Sequence, residues 1–439
     1  MNEKVSGVQK TSEMAADVKT TNENAAGVNA TGEKAAGVKA PHEQATNLTA
    51  TELLEKLREY KESVLANLVM AGEIPAPTFS EHRRIEFLVN RFIESSVSEV
   101  SADDAGNGIG IIKGSGGDQG PQRAILVNAH ADTVFSEKTD HTLEVGKETI
   151  SGPGVADNSL GFAVLATLPQ IFSELGIRFY NDIILLGGVK SLGRGNLDGI
   201  RFFLDQNPFD IVAGLCLEGV QLGRLSYQSI GMFRGEISCT VPESYDWSKF
   251  GEASAVLTLN EIINKINDIR IPRRPRTGIV MGKIEGGSSF HTLAKEASLG
   301  FEVRSESDEV VSSIETTFRN IATEVASKTG DQIELDIFAH RKAGGIPFEH
   351  PVVMLARQTM EQLEIEPRLA PSTSELAAFI DHQIPALTLG ITTGEQQHNQ
   401  LESIQINPIF RGVAQIIGTL INLDQHYRKP LQDESATLD

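Results

Sequence analysis

The sequence predicts an α/β fold in which helices sandwich a mostly parallel sheet and a small α+β domain is inserted. Short apolar runs typical of buried strands alternate with helical stretches along most of the chain, and such alternation favours a parallel sheet. Between about Ile230 and His340 the pattern changes to a β-α-β-β-α order, which is typical of a small separate domain. The length of 439 residues is enough for two domains.

The first 49 residues differ in kind from the rest. They repeat every ten residues, with valine at positions 8, 18, 28 and 38 and glutamate at 13, 23, 33 and 43, and they contain no Phe, Trp or Tyr. One valine and a few alanines per repeat cannot offset a backbone ordering cost of ~1–2 kcal/mol per residue. We therefore predict a disordered repeat tail. A short solenoid is the alternative, although solenoid repeats usually run ~20–50 residues.

Order is predicted to begin near Thr49, which forms a capping box with Glu52 ahead of the first amphipathic helix. The remaining elements are predicted from hydrophobic periodicity. They are helices 81–94, 160–175, 253–269, 310–328 and 410–423, and strands 124–129, 182–186, 211–217, 233–241, 277–284, 297–304 and 384–391. The predicted domains are a tail, 1–49, a main domain, 50–229 with 341–428, an inserted domain, 230–340, and a second tail, 429–439.

The composition excludes several classes of function. The 59 acidic and 39 basic side chains give a net charge of −20, which argues against nucleic acid and anionic membranes as partners. No apolar stretch approaches the ~20 residues of a membrane span, so we expect a soluble chain. Two cysteines, Cys216 and Cys239, cannot form a disulfide framework. The N-terminus lacks the pattern of a secretion signal, so the expected location is the cytoplasm.

Five polar residues follow strands or turns, where the sites of open α/β sheets form. His130 and Asp132 follow the strand that ends at residue 129, Asp157 lies in a glycine-rich turn, Glu218 ends another strand, and His398 follows a late strand. Imidazoles and carboxylates that converge from separate elements are the donors that a borderline divalent metal needs. Taken singly, these residues have ordinary explanations, with Glu218 as a surface acid, His398 as a solvated loop histidine and Asp157 as the N-cap of the following helix. The prediction of a metal site therefore depends on the occurrence of all five residues together, each at a strand end or in a turn.

That set resembles the aminoacylase and carboxypeptidase-type zinc metallopeptidases, which include tripeptide aminopeptidase, acetylornithine deacetylase and succinyl-diaminopimelate desuccinylase. The resemblance extends from Thr49 to about Leu423. It is carried by Asn128–Val134 (the His-x-Asp-Thr-Val box), Gly152–Asn158 (the Gly-x-Gly-x-x-Asp turn), Leu217–Gly219, His398 with Glu402, Gly223–Gly231 and Trp247–Gly251. It implies a zinc-exopeptidase-like sheet, with the inserted domain serving as lid and dimerisation domain.

The resemblance also implies the metal ligands. His130, Asp157 and Glu218 would hold one zinc ion, and Asp157 with His398 would contribute to a second. Asp132 would orient His130, because a ligating histidine usually donates its other ring N–H to a neighbouring acceptor.

Substrate-binding residues follow from the same resemblance. Arg304 matches the lid arginine that grips the substrate carboxylate, a task suited to a forked guanidinium. Tyr245 stands where a lid histidine would stabilise the oxyanion, His291 replaces a substrate-contacting asparagine, and Ser374 replaces an aspartate. A tyrosine hydroxyl can still donate a hydrogen bond, so the change at Tyr245 alone is tolerable.

The largest departure from the family follows strand 182–186. The family places a Glu-Glu pair there, of which the first is the general base and the second is a ligand of the second zinc. In the register set by the downstream sequence, Val189 and Lys190 occupy these positions. Valine accepts no proton, and general-base help is worth about 10²–10⁴-fold in rate. We therefore expect one zinc ion at most, or none with Lys190 paired to Asp157.

Three functions remain open at this stage. The favoured one is a catalytically impaired relative, a pseudoenzyme, whose cleft binds a small peptide or an N-acyl amino acid. The second is an active hydrolase that uses one metal or a different base, such as Glu375. The third is a non-enzymatic scaffold whose repeat tail recruits a partner. The resemblance further implies a homodimer that forms through the lid domain.

Overall fold

The structure is a computed structural model that describes residues 48–116, 123–246, 248 and 253–428. The predicted tail 429–439 lies wholly outside these residues. The predicted tail 1–49 and the Trp247–Gly251 motif lie mostly outside them. The helices that it describes are α1 (Ala50–Leu57), α2 (Lys61–Gly72), α3 (His82–Glu94), α4 (Leu160–Glu174), α5 (Asp198–Gln206), α6 (Ala255–Asn267), α7 (Asp308–Thr329), α8 (Pro351–Gln362), α9 (Leu376–Asp381) and α10 (Ile409–Tyr427).

The strands form one large sheet and three smaller ones. In chain order they are β1 (Glu99–Ala102), β2 (Gly108–Ile112), β3 (Arg123–His130), β4 (Glu144–Val145), β5 (Thr149–Ser151), β6 (Asp182–Gly188), β7 (Asp210–Val220), β8 (Arg224–Ser226), β9 (Gln228–Ser229), β10 (Gly231–Thr240), β11 (Thr277–Gly286), β12 (Glu296–Ser305), β13 (Gln332–Arg341), β14 (Gly344–Gly345), β15 (Arg368–Leu369), β16 (Ala386–Thr392), β17 (Gly394–Glu395) and β18 (Ser403–Gln405).

The large sheet has the strand order β1-β2-β6-β3-β7-β16-β8-β15. Its centre, β6-β3-β7-β16, is parallel, whereas β1, β2 and β8 pair antiparallel with their neighbours in the large sheet at β1–β2, β2–β6 and β16–β8. The central strands are nearly continuous apolar runs because helices cover both of their faces. The α/β fold class predicted from the alternating pattern is therefore confirmed.

Apolar clusters on the two faces of this sheet hold it between the helices. Phe162 of α4 and Ile417 of α10 belong to the cluster on one face, and Phe203 of α5 and Phe379 of α9 belong to that on the other. All four side chains are buried. Within the described part of the chain, no helix combines the length and the apolar character that crossing a membrane requires.

The second sheet is antiparallel, with the order β11-β12-β10-β13. Helices α6 and α7 cover one of its faces, where the rings of Phe233 and Phe318 meet edge to face at 5.6 Å. Strand β13 completes this sheet and is missing from the predicted β-α-β-β-α order. Its half-exposed residues alternate between polar and apolar from Gln332 to Ile337, so the signal of a strand is present in the sequence.

Candidate metal and ligand site

Three of the predicted metal ligands converge at the carboxyl edge of the large sheet. Asn128 of β3 lies opposite Cys216 of β7, so His130 and Glu218, each two residues further on, reach the same edge. Asp157 joins them from the turn that precedes α4. One donor atom from each of His130, Asp157 and Glu218 lies within 4.8 Å of the others. Two carboxylates and an imidazole at this spacing suit one divalent metal ion.

Asp157 lies between two imidazoles. Its Oδ1 is 3.1 Å from Nε2 of His130, and its Oδ2 is 3.2 Å from Nδ1 of His398. Burial raises the pKa of this carboxyl, but the hydrogen bond and charge of His130 and the charge of His398 outweigh it, so the pKa of Asp157 falls below its ordinary value. The sequence also allowed Asp157 to be the N-cap of the next helix; its carboxylate instead contacts the two histidines.

Asp132 lies beside the other nitrogen of the His130 ring. Nδ1 of His130 is 3.0 Å from the backbone oxygen of Asp132 and 3.3 Å from its Oδ1. Oδ2 of Asp132 accepts hydrogen bonds from the Thr78 hydroxyl and the Leu192 amide, both at 2.8 Å. These contacts direct Nε2 of His130 toward Asp157, which is the geometry expected of an orienting residue.

The loop after β3 is anchored by a buried arginine. The Arg84 guanidinium donates to the backbone oxygens of Ala131 at 3.0 Å, Ile74 at 2.7 Å and Gly72 at 3.2 Å. It also donates to the Ser159 hydroxyl, which follows the turn that carries Asp157. Burial lowers the pKa of Arg84 to about 10, so the group stays charged at neutral pH. One side chain thus ties together the two segments that present His130 and Asp157.

The carboxylates of the ligand Glu218 and of its neighbour in the site, Glu402, are both buried. Burial and the charge of Asp157 raise the pKa of Glu218 to about 7, although the charge of Arg224 acts against them. Burial also raises the pKa of Glu402 to about 7, but its carboxylate already accepts hydrogen bonds from the amides of Ala156 and His398. Among the described residues, Glu402 is thus held by backbone amides, whereas His398 contacts the carboxylate of Asp157.

The side chains of Val189 and Lys190 do not enter this site. Val189 is 3% exposed and packs in the main apolar core. Lys190 follows the end of β6 with a positive φ of 55°, and its amide donates to Glu81. No described carboxylate lies within ion-pair distance of its ammonium, so the expected pair between Lys190 and Asp157 is not formed. From this segment Ser191, Leu192 and Gly193 line the site, and the buried hydroxyl of Ser191 has no hydrogen-bond partner among the described residues.

The cation that faces the acidic ligands is Arg224, the first residue of β8. Its Nε and Nη2 lie 3.4 Å and 3.3 Å from the hydroxyls of Ser226 and Ser372. Its charge lowers the pKa of both Asp157 and Glu218, against the effect of their burial. In the sequence Arg224 is recognisable only as part of the Gly223–Gly231 motif, which by itself predicts no role for it.

The ligands open into a cavity of about 480 Å³. Its opposite wall consists of arginines from the second sheet: Arg304, as expected, together with Arg234 and Arg341. Arg234 and Arg341 were not among the predicted site residues. The period-two pattern of β10 does place Arg234 on the face opposite Phe233, but Arg341 ends a strand that was not predicted.

Tyr245 and His291 do not line this cavity in the described chain. Tyr245 packs against the apolar cluster of the second sheet, and its backbone oxygen accepts a hydrogen bond from Lys295. His291 lies in an exposed turn, with Nδ1 3.0 Å from the Ser289 hydroxyl. The expected contact of both residues with a ligand is therefore not made within a single chain. Ser374 does line the cavity, with its hydroxyl 2.7 Å from that of Ser372.

Comparison with solved structures finds the same fold in several peptidases. The aminopeptidase PepT from Bacillus cereus is 18% identical with a TM-score of 0.64, and the alignment covers 83% of this chain and 98% of that one. The dipeptidase Dug1p from Saccharomyces cerevisiae is 12% identical with a TM-score of 0.71, covering 87% and 99%. The YXEP protein from Bacillus subtilis, described as a dinuclear metal-binding peptidase, is 14% identical with a TM-score of 0.56, covering 83% and 98%.

No curated protein matches the sequence. A family model does match residues 126–422, which is more than half of the chain. The match spans His130, Asp157, Glu218 and His398, together with the arginines of the second sheet. The chain therefore belongs to peptidase family M20/M25/M40.

Proposed function

We propose that this protein is a catalytically impaired member of its family, which binds a small peptide or an N-acyl amino acid but hydrolyses it poorly. The observation that carries the proposal is the segment after β6. From Gly187 to Asn196 it contains no carboxylate, and the residues that line the site there are Ser191, Leu192 and Gly193. A serine neither matches a carboxylate as general base nor replaces it as a charged ligand.

The remaining residues support a site for one metal ion. His130, Asp157 and Glu218 would hold it, and we propose zinc because an imidazole with carboxylates suits that ion. A zinc ion supplies Lewis-acid polarisation of a carbonyl. The chain itself supplies Asp132, which orients His130, and the arginines of the second sheet, which would bind the carboxylate of a ligand. Without a general base, we expect rates lower by about 10²–10⁴-fold than those of an intact site.

Glu375 supports the alternative, an active hydrolase with a different base. It is 3% exposed and lines the cavity, and no described base lies within ion-pair distance of its carboxylate. Burial lowers the pKa of His130, but the charge of Glu375, followed by the hydrogen bonds of Asp132 and Asp157, raises it well above its ordinary value. A buried carboxylate in the same cavity as the ligands supports Glu375 as the proton acceptor of this alternative.

Metal analysis and a hydrolysis screen distinguish the two functions. We expect at most one zinc per chain and little turnover of dipeptides and N-acetyl amino acids. The variant Ser191→Glu, which adds a carboxylate at the site, should raise the zinc content, whereas Ser312→Glu on the exposed face of α7 should not. Ordinary enzymatic rates that disappear in Glu375→Gln would refute impairment and establish the alternative.

We also propose that residues 230–340 act as a lid and form a homodimer through β11. This strand is the edge of the second sheet, and it exposes Val280 and Ile284, the latter by 64%. Phe290, in the turn that follows, is fully exposed. An apolar edge strand is a surface on which a second chain can pair. Light scattering should give a dimer for the wild type and a monomer for Ile284→Lys. The scaffold function of the repeat tail concerns residues outside the described part and stays a prediction.

A further inference from the structure

Three arginines form one wall of the cavity, on one face of the second sheet. Met232 of β10 pairs with Arg304 of β12 on one side and with Arg341 of β13 on the other. Directly paired residues point to the same face of a sheet, and Arg234 shares that face because it lies two residues beyond Met232. Helices α6 and α7 cover the opposite face, so the arginine face is turned toward the cavity.

Two of these arginines already share a counter-ion. Nε of Arg234 donates to Oε2 of Glu302 at 2.6 Å, and Nε of Arg304 donates to the other oxygen of the same carboxylate. Burial raises the pKa of Glu302, but the charges of Arg234 and Arg304 outweigh it and hold that pKa below its ordinary value. Glu302 therefore balances one of the two positive charges.

Arg341 has no such partner. It is 6% exposed, and its side chain makes neither a hydrogen bond nor an ion pair with any residue in the described ranges; its Nε is buried without a partner. A buried guanidinium that lacks a counter-ion is costly. Since three arginines face a single carboxylate, the wall carries a net charge of +2.

Glu375 is the remaining carboxylate that faces Arg341. The charge of Glu375 does act on Arg341, but no ion pair joins the two within 4 Å in the described chain. Glu375 is also the largest charge contribution to the pKa of His130. It therefore belongs to the acidic end of the cavity, with Asp157 and Glu218. The net positive charge of the arginine wall is not neutralised by Glu375.

We propose that the cavity selects a ligand with two carboxylates, namely a peptide or an N-acyl amino acid whose C-terminal residue is aspartate or glutamate. Arg304 binds one carboxylate and Arg341 binds the other, each through the planar fork that suits this group. Two negative charges neutralise the wall and give the buried Arg341 the partner that the chain does not supply. The inference rests on the proposed binding function and names its ligand class.

The test compares N-acetylglutamate with N-acetylglutamine, which differ only in the second carboxylate, by isothermal titration calorimetry. We expect the wild type to bind N-acetylglutamate about 10–100-fold more tightly, because a hydrogen-bonded charge pair is lost with the amide. Arg341→Gln should abolish this preference. Arg341→Lys should keep part of the preference, and Arg319→Gln, an exposed arginine of α7, should keep all of it.

The outcomes separate this inference from the proposed function. Equal affinity of the wild type for both compounds overturns the two-carboxylate ligand and leaves peptide or acyl-amino-acid binding in place. Binding of neither compound overturns both. Inorganic phosphate that binds as tightly as N-acetylglutamate, with the same dependence on Arg341, would identify a general anion pocket and overturn the proposed ligand class. If a thermal melt shows that Arg341→Gln does not fold, the proposal is still tested by the preference of the wild type and of Arg341→Lys for N-acetylglutamate over N-acetylglutamine.

Discussion

The side-chain amide of Asn158 holds the backbone on both sides of Glu218. Its Nδ2 donates to the carbonyl of Leu217 at 2.8 Å, and its Oδ1 accepts from the amide of Gly219 at 2.9 Å. Asn158 directly follows Asp157 in the turn before α4. One buried side chain thus ties the turn that carries one carboxylate to the strand that carries the other, and fixes the spacing of the candidate metal ligands.

Replacing Asn158 with alanine should therefore weaken both the fold and the metal site. The change leaves the Leu217 carbonyl and the Gly219 amide buried without partners, at about 1–3 kcal/mol each. We expect urea unfolding to show a loss of about 2–6 kcal/mol, and zinc titration to show weaker binding. Asn264→Ala, on the exposed face of α6, is the matched control and should change neither. Unaltered zinc affinity in a folded Asn158→Ala protein would mean that this amide does not set the ligand spacing.

Replacing Arg84 with methionine should destabilise the protein strongly. The guanidinium is fully buried and satisfies three backbone oxygens, so its removal leaves several acceptors unpaired at a cost of about 3 kcal/mol or more. Arg91→Met is the matched control because Arg91 lies on the same helix, is partly exposed and pairs with Glu94 on the surface. Chemical denaturation of the two variants measures the difference. Equal stability would contradict the anchoring role of Arg84.

The metal ligands could be predicted from the sequence because each follows a strand or a turn whose position the apolar pattern fixes. His130 and Glu218 end neighbouring parallel strands, so their convergence follows from topology. Which side chain of the segment after β6 faces the site could not be predicted. That depends on the backbone torsions at Lys190, where φ is positive, and the apolar pattern carries no information about them.

The arginine wall shows a different limit of sequence analysis. Arg304 was found through its motif, whereas Arg341 belongs to β13, which the predicted order lacks. Only the pairing of β10 with both β12 and β13 brings Arg304 and Arg341 to either side of Met232. Contacts of this kind depend on the order of the strands in the sheet. That order cannot be inferred from the hydrophobic periodicity of a single sequence.

Glu302 should make the stability of the second sheet depend on pH. The pKa of its carboxyl is lowered in the folded protein, so its contribution is fully present above the unfolded value of about 4.3 and is lost as pH falls through the folded value. We expect Glu302→Gln to have a lower free energy of unfolding than the wild type at pH 7, and this difference to be smaller at about pH 3. Urea unfolding at both pH values measures this. Glu334→Gln, at an exposed position of β13, should show no such dependence, and a gap that stays constant with pH would rule out the ion pairs as its source.

Removing the charge of Arg224 and removing that of Lys190 should affect metal affinity differently. The sequence suggests Lys190 as the cation that opposes the metal, whereas in the structure Arg224 lines the cavity and acts on both Asp157 and Glu218. Removing a positive charge near a dication should tighten its binding by about fivefold, on the order of 1 kcal/mol. Competition titration with a zinc chelator should therefore show higher affinity for Arg224→Gln and unchanged affinity for Lys190→Gln. The reverse result would restore Lys190 as the opposing cation and remove that role from Arg224.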